Sequence, residues 1–342
     1  MVNISYQGKS YQLKNSTESV LECLNRHGEP IPSSCRSGIC QTCLMRATHG
    51  QPPSESQKGL KTSLREQNYF LACVCKPNTD LEVSLPEDEI SHRIPAQVVG
   101  KKMLSHDVLK LQLKPEESFD CHPGQFINLV RTSDNLVRSY SIANVSPDDD
   151  ALELQIRILN NGQMTTWLCE CVQPGDKVEI EGPHGDCFYT PGNPEQNLLL
   201  VATGTGLAPL WGIIHDALAH NHKGSIYLFH GSSSVEGLYL SDELKTLQKQ
   251  YSNLYYMPCI SGNDAASGYT QGRSNDVALK TIPDLKDWRV FVCGHPQMVA
   301  DMKRKAFLRG ASLKEIHADP FVYSVPTPTV ADLDKEKIVN RP

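Results

Sequence analysis

Nothing in these 342 residues approaches the roughly 20 consecutive apolar positions a helix needs to cross a bilayer, so no spanning helix is expected. The opening stretch, MVNISYQGKSYQLKNS, lacks the basic segment and apolar core of a secretory signal, and a cytoplasmic location is the expectation. Basic excess is missing as well: 33 Lys and Arg face 39 Asp and Glu, a net charge of −6. That leaves no cationic field to gather a phosphate backbone, which argues against nucleic acid as a partner. Long charged or low-complexity tracts are also scarce, and 39% apolar with 21% charged residues describes a folded globular chain. Its length exceeds one core and suggests two or three domains of roughly 100–200 residues each.

Cysteine, by contrast, is abundant, at 12 residues. Disulfides are out of place in a reducing compartment, so scattered thiols such as Cys23, Cys121 and Cys259 read as small buried hydrophobes. The crowding in SSCRSGICQTC needs another reason. Cys35-x4-Cys40-x2-Cys43 is followed, after 29 intervening residues, by Cys73 in FLACVCKP, which is plant-type [2Fe–2S] spacing; zinc sites usually pair one C-x2-C with another or with two histidines. Gly38 supplies backbone freedom for a loop that must aim its amides at sulfur. CRSGICQTC with LACVC resembles the plant-type ferredoxin domain, a β-grasp fold, over residues 1–88. NISYQGKSYQLKN alternates like a hairpin turning at Gly8, and STESVLECLNRHG reads as a Ser/Thr-capped helix ending at Gly28. Gln41 departs from the resemblance, because many relatives carry a second glycine there. Cys75, two residues past Cys73, reads as a packed thiol rather than a ligand, with swapped ligation as the alternative.

A linker is expected near residues 87–94. Beyond it AQVVGKKML, VLKLQLKP, QFINLVRT, SYSIANV, LELQIRIL and KVEIEGP read as short strands between turn residues, an antiparallel barrel interrupted by one helix at QMTTWLCECV. RSYSIAN resembles the R-x-Y-S signature of the ferredoxin–NADP reductase superfamily. The resemblance implies that Arg138 neutralises a flavin phosphate, Tyr140 packs along the isoalloxazine ring and Ser141 lies near its N5. NGQMTTWL resembles that family's G-x-x-S/T turn, so Gly162, Gln163, Met164 and Thr165 are expected to hold a diphosphate, favouring FAD over FMN. Gly182, Pro183 and Gly185 are expected to shape the turn that follows the barrel.

From about residue 196, NLLLVATGTGLAPLWGIIHDALAHNHKG opens a strand-then-helix alternation that continues through GSIYLFHGSS, NLYYMPCISG and WRVFVCGHPQM, giving an α/β parallel sheet with ligands at its carboxyl edge. GTGLAP lacks the G-x-G-x-x-G spacing; with CGHPQM it resembles the pyridine-nucleotide domain of the same superfamily. Gly204, Thr205 and Gly206 would then meet the coenzyme phosphates, and Cys293, Gly294 and Pro296 the nicotinamide. His295 stands where a proline is often seen and reads as a solvent-facing loop residue. GSSSVEGLYLSDEL offers no arginine for a 2′-phosphate, so NADH is expected over NADPH. EIHADPFVYS resembles the end of oxygenase reductases, whose terminal aromatic covers the flavin; Phe321 is the candidate, with Tyr323 second and a plain packing role open for both.

The fold class expected is therefore multidomain: a β-grasp ferredoxin domain (1–88), an antiparallel Greek-key FAD-binding β-barrel (89–194), an NAD(P)-binding α/β domain (195–325) and a tail (326–342). The three segments in this order resemble single-chain reductase components of bacterial multicomponent oxygenases. Electrons are expected to run from NADH through FAD and the [2Fe–2S] cluster, ligated by Cys35, Cys40, Cys43 and Cys73, to a partner protein. Tyr140, Ser141, Cys293 and Phe321 are the candidates at the reacting atoms, and a monomer is expected. A reductase for a deoxysugar dehydratase, like the CDP-6-deoxy-glucoseen reductases, is the second reading, and a non-catalytic flavin redox sensor the third.

Overall fold

The computed structural model describes residues 2–38, 40–86, 88, 93–145, 150–262 and 268–322. Its first sheet holds β1 (Asn3–Tyr6), β2 (Lys9–Gln12), β3 (Leu44–His49), β4 (Tyr69–Leu71) and β5 (Leu81–Ser84) in the order β2-β1-β5-β3-β4. The β1–β2 hairpin turns through Gln7 and Gly8, both at positive φ (48° and 74°), the primed turn that matches strand twist. Helix α1 (Val20–Arg26) starts in a full capping box, with Ser19 Oγ accepting from Glu22 N and Glu22 Oε2 accepting from Ser19 N. It lays Val20, Leu21, Cys23 and Leu24 onto Ile4, Met45, Phe70 and Leu81. Parallel pairing of β1 with β5 gives the expected β-grasp, and a short helix α2 (Thr62–Glu66) leads into β4.

The second unit is a closed barrel of β6 (Ile94–Met103), β7 (Val108–Pro115), β8 (Phe126–Arg131), β9 (Leu136–Val145), β10 (Leu152–Arg157) and β11 (Lys177–His184), paired antiparallel as β10-β7-β6-β11-β8-β9. Period-2 alternation fills it: Leu109, Leu111 and Leu113 of β7 point inward with Leu152, Leu154 and Ile156 of β10. Helix α3 (Gln163–Glu170) crosses between β10 and β11.

The third unit is a parallel sheet of β12 (Leu198–Thr203), β13 (Ile226–Ser232), β14 (Leu254–Ile260), β15 (Thr270–Gln271), β16 (Arg289–Gly294) and β17 (Ile316–Pro320), ordered β15-β14-β13-β12-β16-β17. Helices α4 (Leu207–Ala219), α5 (Ser241–Gln250), α6 (Ser274–Thr281) and α7 (Pro296–Leu308) alternate with its strands. The run LLLVA of β12 is buried on both faces, as a central parallel strand must be. Strand order reverses at β12, so a crevice opens at its carboxyl end. Helix α4 also packs across β9, joining this sheet to the barrel.

Cys23 and Cys259 are core residues as expected, whereas Cys121 is only partly buried. Most of the expected 87–94 linker, and the 326–342 tail, lie outside the described residues. Among the described residues no helix is long and apolar enough to cross a membrane.

Candidate functional site

Cys35 and Cys40 are exposed on the loop before β3, and Cys43, at its end, is buried. The loop turns through Arg36, Gly38 and Gln41, all at positive φ (53°, 75° and 59°), which explains why glycine suits position 41. This winding aims amides at sulfur: Ser37 N and Cys40 N each lie 3.4 Å from Cys35 Sγ, and Cys35 N lies 3.4 Å from Cys40 Sγ. Thr42 Oγ1 donates to Cys40 Sγ at 3.2 Å and, with the amides, holds that exposed thiol below its ordinary pKa. Burial pushes Cys43 up to about 11, and Cys73 lies within hydrogen-bonding reach of it.

Among the described residues no three His, Cys, Asp or Glu side chains group tightly enough for a single metal ion. The four expected ligands fall instead into two pairs, Cys35 with Cys40 and Cys43 with Cys73. Two thiolates for each of two irons is the donor set of a [2Fe–2S] cluster, and the residues fit it. Cys75 is packed in the domain core, its thiol pushed up to about 12 by burial, and both Cys73 and Cys75 lie past the end of β4 rather than on a strand.

Arg138, Tyr140 and Ser141 lie within four positions of β9, paired in register with β8. Tyr140 is half-buried, and burial keeps its phenol protonated well above the ordinary range. Gly162 caps α3 without a side chain, so the amides of the first turn keep their hydrogen-bonding capacity. A Cβ at Gly162 would fall 2.4 Å from Thr165 Oγ1, which itself bonds Gly162 O and Leu159 N at 3.2 and 3.3 Å. Gln163 gives its carbonyl to Arg131, and Met164 is buried. Cation, helix amides and an aromatic face on the contacting elements β9 and α3 fit a flavin with its diphosphate.

One residue missed by sequence reasoning is Asp319. Register places it opposite Cys293 on the neighbouring strand, and Ser141 Oγ donates to its Oδ2 at 3.1 Å. Burial raises its carboxyl to about 6. Phe321 N donates to Gly294 O at 2.8 Å, so Phe321 and Gly294 lie next to the Asp319–Cys293 pair that Ser141 reaches from the barrel; Tyr323 lies outside the described residues. Cys293 is wholly buried, with its sulfur 3.7 Å from Cys187 Sγ.

At the carboxyl edge of β12 a cavity of about 530 Å³ is lined by Gly204, Ser232, Ser233, Ser261, Arg157, Arg273 and His295, among others. The expectation that no arginine lies near the serines does not hold, because a sequence-distant turn brings Arg273 into the same cavity. Arg157 enters from the barrel, its Nη1 3.3 Å from where a Cβ on Gly204 would stand. His295 is exposed as expected, and its ring also caps α7, Nδ1 accepting from Gln297 N; Pro296 follows at the first helical position. Thr205 is buried in the turn, and a Cβ on Gly206 would stand 2.2 Å from Cys293 O. Gly206→Val must therefore displace the turn or the end of β16, costing about 1–3 kcal/mol of stability and raising the coenzyme KM roughly 10-fold or more, as melting and coenzyme titration would show.

All three units meet at the turn Gly185–Asp186. Gln67 of the ferredoxin-like unit and Gln125 of the barrel both donate to Gly185 O, at 3.2 and 3.3 Å, and Gln125 Nε2 also donates to Gln67 Oε1 at 3.1 Å. Lys61 pairs with Asp186 Oδ2 at 2.8 Å, and His317 Nδ1 of β17 donates to Asp186 O at 3.0 Å. Phe126, next to Gln125, stands opposite Ser141 in the barrel register.

Three domain families match in order: the 2Fe-2S iron-sulfur cluster binding domain over residues 3–78, the oxidoreductase FAD-binding domain over 95–189 and the oxidoreductase NAD-binding domain over 200–304. The sequence is 31% identical over 308 residues to the ferredoxin–NAD(P)+ reductase component of the naphthalene 1,2-dioxygenase system of Pseudomonas putida, covering 89% of this chain and 93% of that protein. It is 29% identical over 317 residues to the reductase subunit of an aromatic O-demethylase from Amycolatopsis, covering 89% and 94%. The crystal structure of an Amycolatopsis cytochrome P450 reductase superposes with a TM-score of 0.65 at 28% identity, over 94% of this chain and 99% of that one. The chain is thus an oxidoreductase with FAD, [2Fe–2S] and NAD(P) domains, and it belongs to the ferredoxin–NADP reductase superfamily, among the single-chain reductases that carry a plant-type [2Fe–2S] domain.

Proposed function

We propose that this reductase oxidises NADH and passes single electrons to a terminal oxygenase component. When bound, the flavin and the cluster supply the conversion of a hydride pair into single electrons. The observation that carries the reading is the junction at Gly185–Asp186, where Gln67, Gln125 and His317 tie the cysteine-bearing unit, the barrel and the coenzyme sheet together beside Ser141 and Asp319. The oxygenase partner is drawn from relatives described as reductase components of naphthalene and terephthalate dioxygenase systems.

In this reading the chain works as a monomer divided near residues 88 and 194. Arg138 and the amides of Gly162–Thr165 hold the flavin phosphates, Tyr140 lies along the ring, and Ser141 sits at its reactive edge. Gly204–Gly206 receive the coenzyme diphosphate, Cys293, Gly294 and Pro296 bound the nicotinamide, and Phe321 covers the flavin between turnovers. Cys35, Cys40, Cys43 and Cys73 hold the iron. The exposed Cys35–Cys40 pair makes that side of the cluster loop the exit toward a partner.

Purified protein should show flavin and iron–sulfur absorption together and reduce cytochrome c on addition of NADH. Absence of iron and acid-labile sulfide, or a flavin left oxidised by NADH, would overturn the proposal. Coenzyme choice has its own test in Arg273→Ala. If NADH is the donor, wild-type kcat/KM favours NADH and the substitution raises both coenzymes' KM alike, by roughly 10-fold for one lost charged contact. A wild-type preference for NADPH that the substitution selectively erases would instead assign Arg273 to a 2′-phosphate and remove NADH from the reading.

A further inference from the structure

The side-chain row of β13 that faces α4 begins with Ile226 and Leu228, packed among Leu198, Leu200 and Ala202 of β12, and an aliphatic residue would continue it. His230 stands there instead, with no solvent exposure at all. Its Nε2 lies 3.1 Å from the carbonyl oxygen of Gly204. A carbonyl only accepts, so Nε2 carries the ring proton, and Nδ1 is left bare, with no hydrogen-bond partner among the described residues. A buried, unpaired acceptor in an apolar row is a standing cost that phenylalanine or leucine would avoid, and its retention calls for a compensating role.

The bond to Gly204 supplies that role. Gly204 has φ +54°, opens the turn Gly204–Gly206 that leads into α4, and lines the cavity beside Arg157. Leu207 N already bonds its carbonyl from the helix side, and His230 occupies the second lone pair, so the peptide plane after Gly204 is held from two directions. The imidazole is braced in turn. Tyr239 meets it edge-on, with ring centroids 5.8 Å apart at 89°, and Tyr239 OH donates to Gln155 Oε1 at 2.8 Å. Gln155 lies on β10 between Glu153 and Arg157, two residues from each and on the same strand face, so the brace reaches the barrel strand that also sends Arg157 into the cavity.

We propose that His230 is a positioning residue for the nicotinamide coenzyme: by donating from Nε2 to the Gly204 carbonyl it fixes the diphosphate-facing turn, and through Tyr239 and Gln155 it locks that turn to the flavin-side barrel. This rests on the reading of the cavity as the coenzyme site. It acts on binding rather than on the transfer of hydride, because His230 touches the turn and not the reacting atoms.

The test uses the full-length holoprotein, with NADH oxidation by ferricyanide and calorimetric titration of ADP-ribose and of AMP. His230→Phe keeps the ring against Tyr239 but removes the donor, and should raise the NADH KM and the ADP-ribose Kd about 10-fold, the loss of one buried hydrogen bond, with kcat and AMP binding nearly unchanged. His230→Gln places an amide donor at the Nε2 position and should restore affinity to within about 3-fold of wild type. Tyr239→Phe, which loses only the bond to Gln155, should move the same two constants in the same direction by a smaller factor and keeps the proposal testable if His230→Phe fails to fold. Unchanged ADP-ribose affinity in folded His230→Phe, or an equal fall in kcat, AMP binding and melting temperature without rescue by glutamine, overturns the proposal. Wild-type protein that binds no ADP-ribose would instead remove the coenzyme reading itself.

Discussion

Replacing Cys40 with serine is expected to abolish NADH-dependent cytochrome c reduction, a loss of roughly 100-fold or more, while ferricyanide reduction stays within about 3-fold of wild type. The asymmetry follows from where Cys40 sits. It is exposed on the loop, paired with Cys35, and receives hydrogen bonds from Cys35 N and Thr42 Oγ1 that favour its thiolate. Serine's hydroxyl gives up its proton far less readily than a thiol and is a harder ligand, so one iron would lose half its protein ligands. The cavity at the carboxyl edge of β12 and the Ser141–Asp319 contact lie in other units and are untouched. Cys75→Ala is the control: its side chain belongs to the core, so the variant should lose melting temperature but keep iron and acid-labile sulfide. Equal iron content in Cys40→Ser and wild type would remove Cys40 from the ligand set.

Ser141→Ala is expected to slow single-turnover reduction of the bound flavin by NADH by about 10- to 100-fold, with Asp319→Asn producing a smaller defect that depends on pH. Ser141 Oγ donates to a carboxylate whose pKa burial has raised to about 6, with Asp186 adding repulsion and the serine bond opposing both. Below that value Asp319 is protonated and no longer needs the serine proton. The wild-type rate should therefore inflect near pH 6, and the inflection should vanish in Asp319→Asn. Stability carries a matching signature. An acid whose folded pKa lies above its unfolded value of 3.8 holds its proton longer in the native state, so stability falls as pH rises from about 4 to 6 and the cost persists above 6. After a discount for partial exposure, Asp319→Asn should be more stable than wild type by about 1–2 kcal/mol at pH 8 and indistinguishable from it below pH 4, measured as paired melting curves. Identical curves at pH 8 would show that Asp319 carries no such strain.

What the sequence disclosed is what the chain encodes locally. The thiol spacing of Cys35, Cys40 and Cys43, the capping pair Ser19–Glu22 and the alternation of β7 are set by neighbours a few positions apart, and each appears in the structure. Arg138–Ser141 and Gly204–Gly206 were legible as motifs because each is a short run of adjacent residues. Asp319, Arg273 and Gln67 were not, because each reaches its place through a long-range event: the parallel register of β17 on β16, a turn leading into α6, and the seating of one unit on another. Asp319 did leave a faint trace as a carboxylate on a strand whose first two residues are buried, IHADP.

The shared seat at Gly185–Asp186 bears on how such proteins can be recombined. A foreign electron-carrying module grafted ahead of β6 would inherit neither the glutamine that reaches Gly185 nor the lysine that meets Asp186. Transplanting those two side chains along with the module, rather than lengthening the tether between the parts, is what a working hybrid would require.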